Sequence, residues 1–431
     1  MEKLANEETR TSGGNENKND PLVIDIITML EMSEPLVSTR CRIYKVPFYL
    51  RKLNEEAYTP QVISIGPIHH DKKRFQTMEK HKVRYFKSFM QRVENQAEIK
   101  LENLVSTIRE MEDNIRHCYV ESVQLESHDF VKMILLDASF ILDLFLKNKL
   151  KGWTRDDPMR VEAWLLDMVP RELFLLENQL PFFVIEKLYH LALPSLSNSI
   201  SLIQLTFDFF KFWNIHNKSP SVNIQHFTDL LRFFLLPPTN ELPARVPEIL
   251  FPKYSITQLS EAGVKFKVVP SKYLLDLKFK KGVLEIPRLV FYDRNEALVR
   301  NIMALEQCDH TSDQYITDFF SIMDRLINTT KDVDLLNDKG ILVNGLGDRN
   351  AVTSMINNLS RGILRRDMNC DFYKLCKDLD EYYEEPSNKW KAILRHQYFS
   401  TPWRSASTVA AIILLQLTLI QTLFSILQVV L

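Results

Sequence analysis

The stretch Ser64–His70 reads SIGPIHH. Imidazole titrates near neutral pH and is a common metal ligand, so adjacent histidines after a Gly-Pro pair could bind a metal or move a proton. Asp71, Glu79 and His81 follow closely. A metal needs ligands that converge on one point. Neighbouring residues of an extended chain point to opposite sides. His69 and His70 are therefore not expected to chelate together, and His81 joins one of them only if the turn folds back. The segment is expected to form a turn at Gly66-Pro67 that serves the fold or presents a contact surface. An enzyme with an unrecognised site at Ser64–His81 is the alternative.

Four carboxylates, Asp137, Asp143, Asp167 and Glu177, sit in apolar surroundings. Paired carboxylates can perform acid–base work. No nucleophile or base stands beside these in a recognisable pattern, so they are expected to cap helices, face solvent or pair with Lys or Arg. The amides of Asn178 and Gln179, beside Pro181, are expected to satisfy a broken helix. No residue is assigned to catalysis, cofactor binding or metal binding, and no cofactor is expected.

Other chemistries lack their motifs. Glycine is scarce at 10 residues, and phosphate-cradling loops depend on it. "NGLGD" supplies Gly345 and Gly347 but no third glycine, and no P-loop, GxSxG or HExxH occurs. Cys41, Cys118, Cys308, Cys370 and Cys376 are odd in number and match no zinc spacing, so free thiols in a reducing compartment are expected. Basic and acidic residues balance at 54 and 55, which gives no global field for nucleic acid.

Helices dominate the elements that must carry these residues. Apolar positions at Leu101, Leu104, Val105, Ile108, Met111, Ile115 and Cys118 follow the helical period within 97–119. Further helices are expected at about 22–32, 128–149 with Ser127 as N-cap, and 158–178 behind an Asp157-Pro158 start. "PFFVIEKLYHLA" follows the Pro181 break. From about 264 to 291, VKFKVV, LLDLKF and GVLEIP alternate, with Lys281-Gly282 as a turn, which predicts a small antiparallel meander. Helices resume at about 295–308, 312–329, 348–360 and 370–398. A short one over Asp332–Leu342 closes at Gly340.

The two ends differ. Residues 1–20 are polar and are expected to form a disordered tail without a secretory signal. Val409–Leu431 carries no charge over 23 residues. As a helix it is about 34 Å long, enough to cross a hydrocarbon core of about 30 Å. Lys389, Lys391, Arg395, His396 and Arg404 precede it, with Trp390, Tyr398, Phe399 and Trp403 as interface anchors. This predicts a single-pass C-terminal anchor in the lipid bilayer with the domain on the cytosolic side. There the sequons at Asn217, Asn328 and Asn358 stay unused. Thr418, Gln421, Thr422, Ser425 and Gln428 share one face of the span and suggest self-association.

The blocks "IYKVPFYLRKLNEEAYTPQVISIGPIHH", "MEKHKVRYF", "DASFILDLF", "LLENQLPFFVIEKLY", "GVLEIPRLVFYD", "NIMALEQC" and "DVDLLNDKGIL" resemble, in this order, the plant-specific family called domain of unknown function 247. The ending "YFSTPWRSASTVAAIILLQLTLIQTLFSIL" does too, so the likeness runs from about Ile43 to the last residue. Ala138 and Asp143 stand where similar proteins often have Gly and Glu. The resemblance implies a plant protein with a C-terminal membrane helix and hands over no catalytic residues. It also implies a recognition role of the kind tied to self-incompatibility in grasses, which could place the domain outside the cell.

The expected fold is mainly α (α+β): a multi-helix domain with a small antiparallel β meander and a C-terminal transmembrane helix. Its parts are the tail 1–20, a single domain 21–400, and a juxtamembrane segment with anchor 401–431. The expected function is non-catalytic interaction, recognition or signalling at a membrane, with a protein partner and no nucleic acid.

Overall fold

Ser127–Leu150 is apolar on every side, and such a helix must be buried. The computed structural model describes residues 20–31, 43–94, 99–238, 241–269, 273–399 and 401–430, and this helix is its axis. Phe130 to Lys147 is buried apart from Lys132 and Leu136. The helices Gln76–Glu94, Leu101–Arg116, Phe182–Ala192 and Leu202–Phe209 pack around it. Phe145 lies 4.5, 6.2 and 5.6 Å from the rings of Phe209, Phe210 and Phe227. Truncating one such buried ring to Ala costs about 3–5 kcal/mol. Ser127 is the first helical residue rather than the N-cap; Glu126 precedes it, and the Ser127 hydroxyl donates to Glu112 Oε2 at 2.6 Å.

The chain divides into two compact units, Met1–Thr39 and Arg40–Leu431. In the first, Pro21–Glu31 is helical. Residues 1–19 of the expected tail, and Cys41, lie outside the described residues. All further description concerns the second unit.

Two expected helices are broken. The span 158–178 holds Pro158–Val161 and Leu165–Glu172, followed by turns. Pro158 opens the first piece, where its missing N–H costs nothing, and the break falls at Glu162, which leaves the helical region (φ −106°, ψ 74°). Asp157 caps the first piece by accepting from Met159 N at 3.0 Å. The span 370–398 splits into Cys370–Glu384 and Pro386–Tyr398. Proline disfavours the helical conformation in the residue before it, and Glu385 is extended (φ −56°, ψ 128°). Gly340 ends Thr330–Asp338 with φ +68°, as expected of a C′ residue.

The mainly helical class holds, and the β insert differs in its pairing. Lys278–Lys280 and Val283–Pro287 form the expected hairpin through Lys281-Gly282. Both turn residues have positive φ, at 49° and 76°, as a type I′ turn requires. Lys265–Val269 does not continue a meander. It pairs in parallel on the far side of Val283–Pro287, because the chain crosses back before the hairpin. Leu289–Phe291 leaves this sheet and pairs in parallel with Leu342–Asn344.

The last helix runs Pro402–Val430, starting before the charge-free stretch. Its segment Pro402–Gln428 is 27 residues long and apolar enough to cross a membrane, and no part of its apolar stretch is buried against the protein. Leu431 lies outside the described residues.

Candidate functional site

Gln61–Gly66 runs from an exposed residue into the interior, buried from Ile63 to Gly66, without a strand partner. Buried backbone N–H and C=O groups need partners, and side chains supply them here. Glu172 accepts from the amides of Gln61, Val62 and Ile63 at 2.6, 2.8 and 2.7 Å. Asn178 accepts from Ile65 N at 2.6 Å and donates to the Ile63 carbonyl at 3.1 Å. Asp137 accepts from Gly66 N at 2.8 Å. Lys82 donates to the Ser64 carbonyl at 2.5 Å and pairs with Asp137 and Glu79 at 2.6 Å each. Burial alone would strip Lys82 of its proton, but Asp137 and Glu79 outweigh it and hold the ammonium charged.

Gly66 is the one residue type this path allows. Its φ of +72° and ψ of −176° lie in a region open essentially only to glycine. A Cβ there would sit 2.5 Å from the Gln179 carbonyl oxygen. That carbonyl accepts from the Tyr119 hydroxyl at 3.0 Å. The Gln179 amide donates to the carbonyls of Leu173 and Leu175 at 2.6 and 2.7 Å, and Asn178 donates to that of Glu172 at 3.0 Å. The two amides thus satisfy the broken helix as expected, and Asn178 also grips SIGPIHH.

The histidines separate. His69 is buried, with Nε2 2.8 Å from Glu177 Oε2 and Nδ1 2.6 Å from Lys72 Nζ. Burial pushes the imidazole below its ordinary pKa despite the pull of Glu177, so it is neutral at pH 7. The neutral ring then donates through Nε2 and accepts from Lys72 through Nδ1, which leaves neither nitrogen for a metal. Burial would raise the Glu177 carboxyl, but hydrogen bonds from His69, Arg51 and Val46 N hold it low. His70 Nε2 lies 3.8 Å from Asp71, and His81 Nε2 lies 3.8 Å from Glu162. Among the described residues no three His, Cys, Asp or Glu side chains cluster as metal ligands would. Ser64 Oγ is buried without a hydrogen bond, and Lys82 holds the Ser64 carbonyl instead, so no base stands at this hydroxyl.

The other expected carboxylates fall in two places. Asp143 pairs with Arg92 and Lys147 at 2.8 and 3.1 Å, and Lys147 reaches Asp157 at 2.9 Å. The Tyr85 hydroxyl donates to Asp157 at 2.8 Å. This second buried network lies along the same central helix. Asp167 instead pairs with Arg171 on the surface, beside a cavity of about 250 Å³ lined by Trp153, Leu166, Phe212 and Trp213. Cys308, Cys370 and Cys376 carry free thiols, and burial pushes Cys308 up to about 12, which leaves it protonated and inert.

Glu172, Lys82 and Arg51 are central to the site and were not singled out from the sequence. Lys82 carried a signal: it falls on the buried stripe Met78, Lys82, Tyr85, Phe89, Val93 of Gln76–Glu94. A lysine on an apolar face needs buried partners. Glu172 and Arg51 carried none, because their partners are distant in sequence.

What the arrangement does chemically is hold backbone. It joins the block that ends in SIGPIHH to the blocks holding Lys82, Asp137 and Glu177–Gln179. Comparison with known proteins covers all of these blocks. A family model described as a plant protein of unknown function matches residues 43–417. The chain is 31% identical to the Arabidopsis thaliana UPF0481 protein At3g47200 over 423 residues, covering 90% of this chain and 87% of that protein. It is 21% identical to the Arabidopsis thaliana putative UPF0481 protein At3g02645, covering 89% of each. No solved structure matches the chain. The chain belongs to the plant family named domain of unknown function 247.

Proposed function

We propose that this plant protein is a membrane-anchored, non-catalytic interaction protein that holds a folded domain at the cytosolic face of a bilayer. One observation carries the reading: the 27-residue apolar helix Pro402–Gln428 has no cover from the rest of the protein. A helix of that length is about 40 Å, and lipid is the solvent that would satisfy its surface. The flank Lys389, Lys391, Arg395 and Arg404 favours a cytosolic domain. The occupied nitrogens of His69 and the charge pairs of Lys82 support a structural rather than catalytic role for SIGPIHH. A recognition role of the kind linked to self-incompatibility fits such a displayed surface.

Self-association of the span is part of this reading, in a narrower form. The hydroxyls of Thr418, Thr422 and Ser425 donate to the carbonyls four residues earlier at 2.8, 2.8 and 2.9 Å. Gln421 and Gln428, two turns apart on the same face, are then the groups that most need partners across helices. Replacing both with Leu is expected to abolish self-association in membranes, and an unchanged oligomer would refute it.

Protease treatment of sealed vesicles tests the side. The reading expects full digestion of the domain and unmodified Asn217, Asn328 and Asn358. A protected domain carrying glycans at these sequons would reverse the topology.

A further inference from the structure

The sequence writes Lys-Phe-Lys twice, at 265–267 and 278–280. The strand register sets Phe266, Leu284 and Phe279 side by side. Side chains alternate along a strand, so Lys265, Lys267, Lys278 and Lys280 share the opposite face. Lys281 adds a fifth charge at the turn, and all five are exposed. Lys278 pairs with Asp276 at 2.5 Å. The other four form no ion pair among the described residues, and Glu285 is the carboxylate within this face.

Contacts through its neighbours place this sheet near the juxtamembrane helix. A Cβ on Gly282 would lie 2.9 Å from the Tyr382 hydroxyl, and the Phe279 and Tyr382 rings are 5.5 Å apart. Tyr382 sits in the last turn of Cys370–Glu384, directly before Pro386–Tyr398. On the other side, Arg395 of Pro386–Tyr398 donates to the Ser260 carbonyl at 2.9 Å, and His396 Nδ1 lies 3.2 Å from Glu261. Lys265 follows Ser260 by five residues, at most about 18 Å of chain. The span is close as well, because Thr408 Oγ1 donates to the Tyr398 carbonyl at 3.1 Å.

We propose that the lysine face, through Lys265, Lys267, Lys280 and Lys281, docks on an anionic bilayer surface and fixes the orientation of the domain over the membrane. The inference rests on the reading of Pro402–Gln428 as a span. Attraction of lysine to anionic headgroups fades within a Debye length of about 8–10 Å. A sheet packed on the helix directly before Pro386–Tyr398, and following closely on a segment that Pro386–Tyr398 itself holds, is placed to use it, and a freely tethered domain is not. Lys265, Lys267, Lys280 and Lys281 form no ion pair among the described residues, and the charge that complements them is that of the lipid surface.

The full chain in nanodiscs tests this by residue-resolved lysine acetylation. Retention in the disc during gel filtration reads the span alone, so its failure is seen separately. In discs with about 30% phosphatidylserine, Lys265, Lys267, Lys280 and Lys281 are expected to react about threefold slower or more than in neutral discs. The protection should vanish at about 0.5 M salt, and Lys132 and Lys211 should not change. Equal rates in the two discs, or equal slowing at Lys132, would overturn the proposal. Protection by a soluble polyanion such as heparin but not by the lipid would overturn it too, and would assign the face to another partner.

Discussion

The SIGPIHH site and the lysine face use charge in opposite ways. At the first, Lys82, Asp137, Glu172 and Glu177 are buried, and each has several partners. At the second, Lys265, Lys267, Lys280 and Lys281 are exposed and unpaired among the described residues. A buried charge is tolerated only when paired and hydrogen-bonded, so its partners are fixed by the fold. An exposed charge leaves the fold nearly unaffected and stays available to a partner outside the chain. The residues that attract notice for chemistry therefore hold the structure together. The unremarkable lysines are the ones free to act on something else.

The largest expected effect comes from breaking a buried pair. Lys82→Met strips buried Asp137 of its ammonium partner and the Ser64 carbonyl of its donor, and should destabilise the domain by about 3–5 kcal/mol in urea unfolding. Removing the charge as well, in Lys82→Met with Asp137→Asn, should recover part of that loss. An effect below about 1 kcal/mol would show that the site is not where stability is concentrated.

Gly66→Ala comes next. It forces a side chain into a glycine-only conformation and against the Gln179 carbonyl. The expected loss is about 3 kcal/mol, read from the same unfolding curve.

The adjacent histidines should then part company. His69→Ala removes a buried ring with two partners and should cost about 2 kcal/mol, whereas His70→Ala should cost less than about 0.5 kcal/mol. A folded double variant that had lost bound metal would return the enzyme reading. The pH dependence follows from the lowered pKa of His69. In the unfolded chain the ring takes a proton as pH falls through its ordinary 6.5, while in the fold it stays neutral until lower pH. The unfolded state then binds more protons, so stability falls as pH drops below about 6.5. This increment should vanish in His69→Gln. Glu177, held below its ordinary 4.5, adds a second loss at lower pH.

The smallest effect on stability belongs to the other region. Reversing Lys265, Lys267, Lys280 and Lys281 to Glu should shift stability by no more than about 0.5 kcal/mol per site. A cooperative loss of fold would end the contrast between the two regions.

Much of this was legible in the sequence, for identifiable reasons. Helical periods and the charge-free C-terminal stretch are local patterns, and they reappear as Leu101–Arg116, Ser127–Leu150 and Pro402–Val430. Asp157 as a cap and the Lys281-Gly282 turn are local too. The expectation that adjacent histidines would not converge assumes an extended chain, whereas Pro67–His69 is a 3-10 turn and His70 is helical; it is their different ring partners that set the two apart. The parallel pairing of Lys265–Val269 with Val283–Pro287 was not legible, because register between distant strands has no local signature. Nor was the grip of Glu172 on Gln61–Ile63, which joins residues about a hundred positions apart. The alternation of KFK showed strands in the sequence, but only the register placed both pairs of lysines on one face.

Deleting Val409–Leu431 tests the division of labour most directly. The account predicts a chain released from membranes by alkaline carbonate, with the melting temperature of the intact protein unchanged. Continued carbonate-resistant membrane retention, or loss of cooperative unfolding in the released chain, would contradict it.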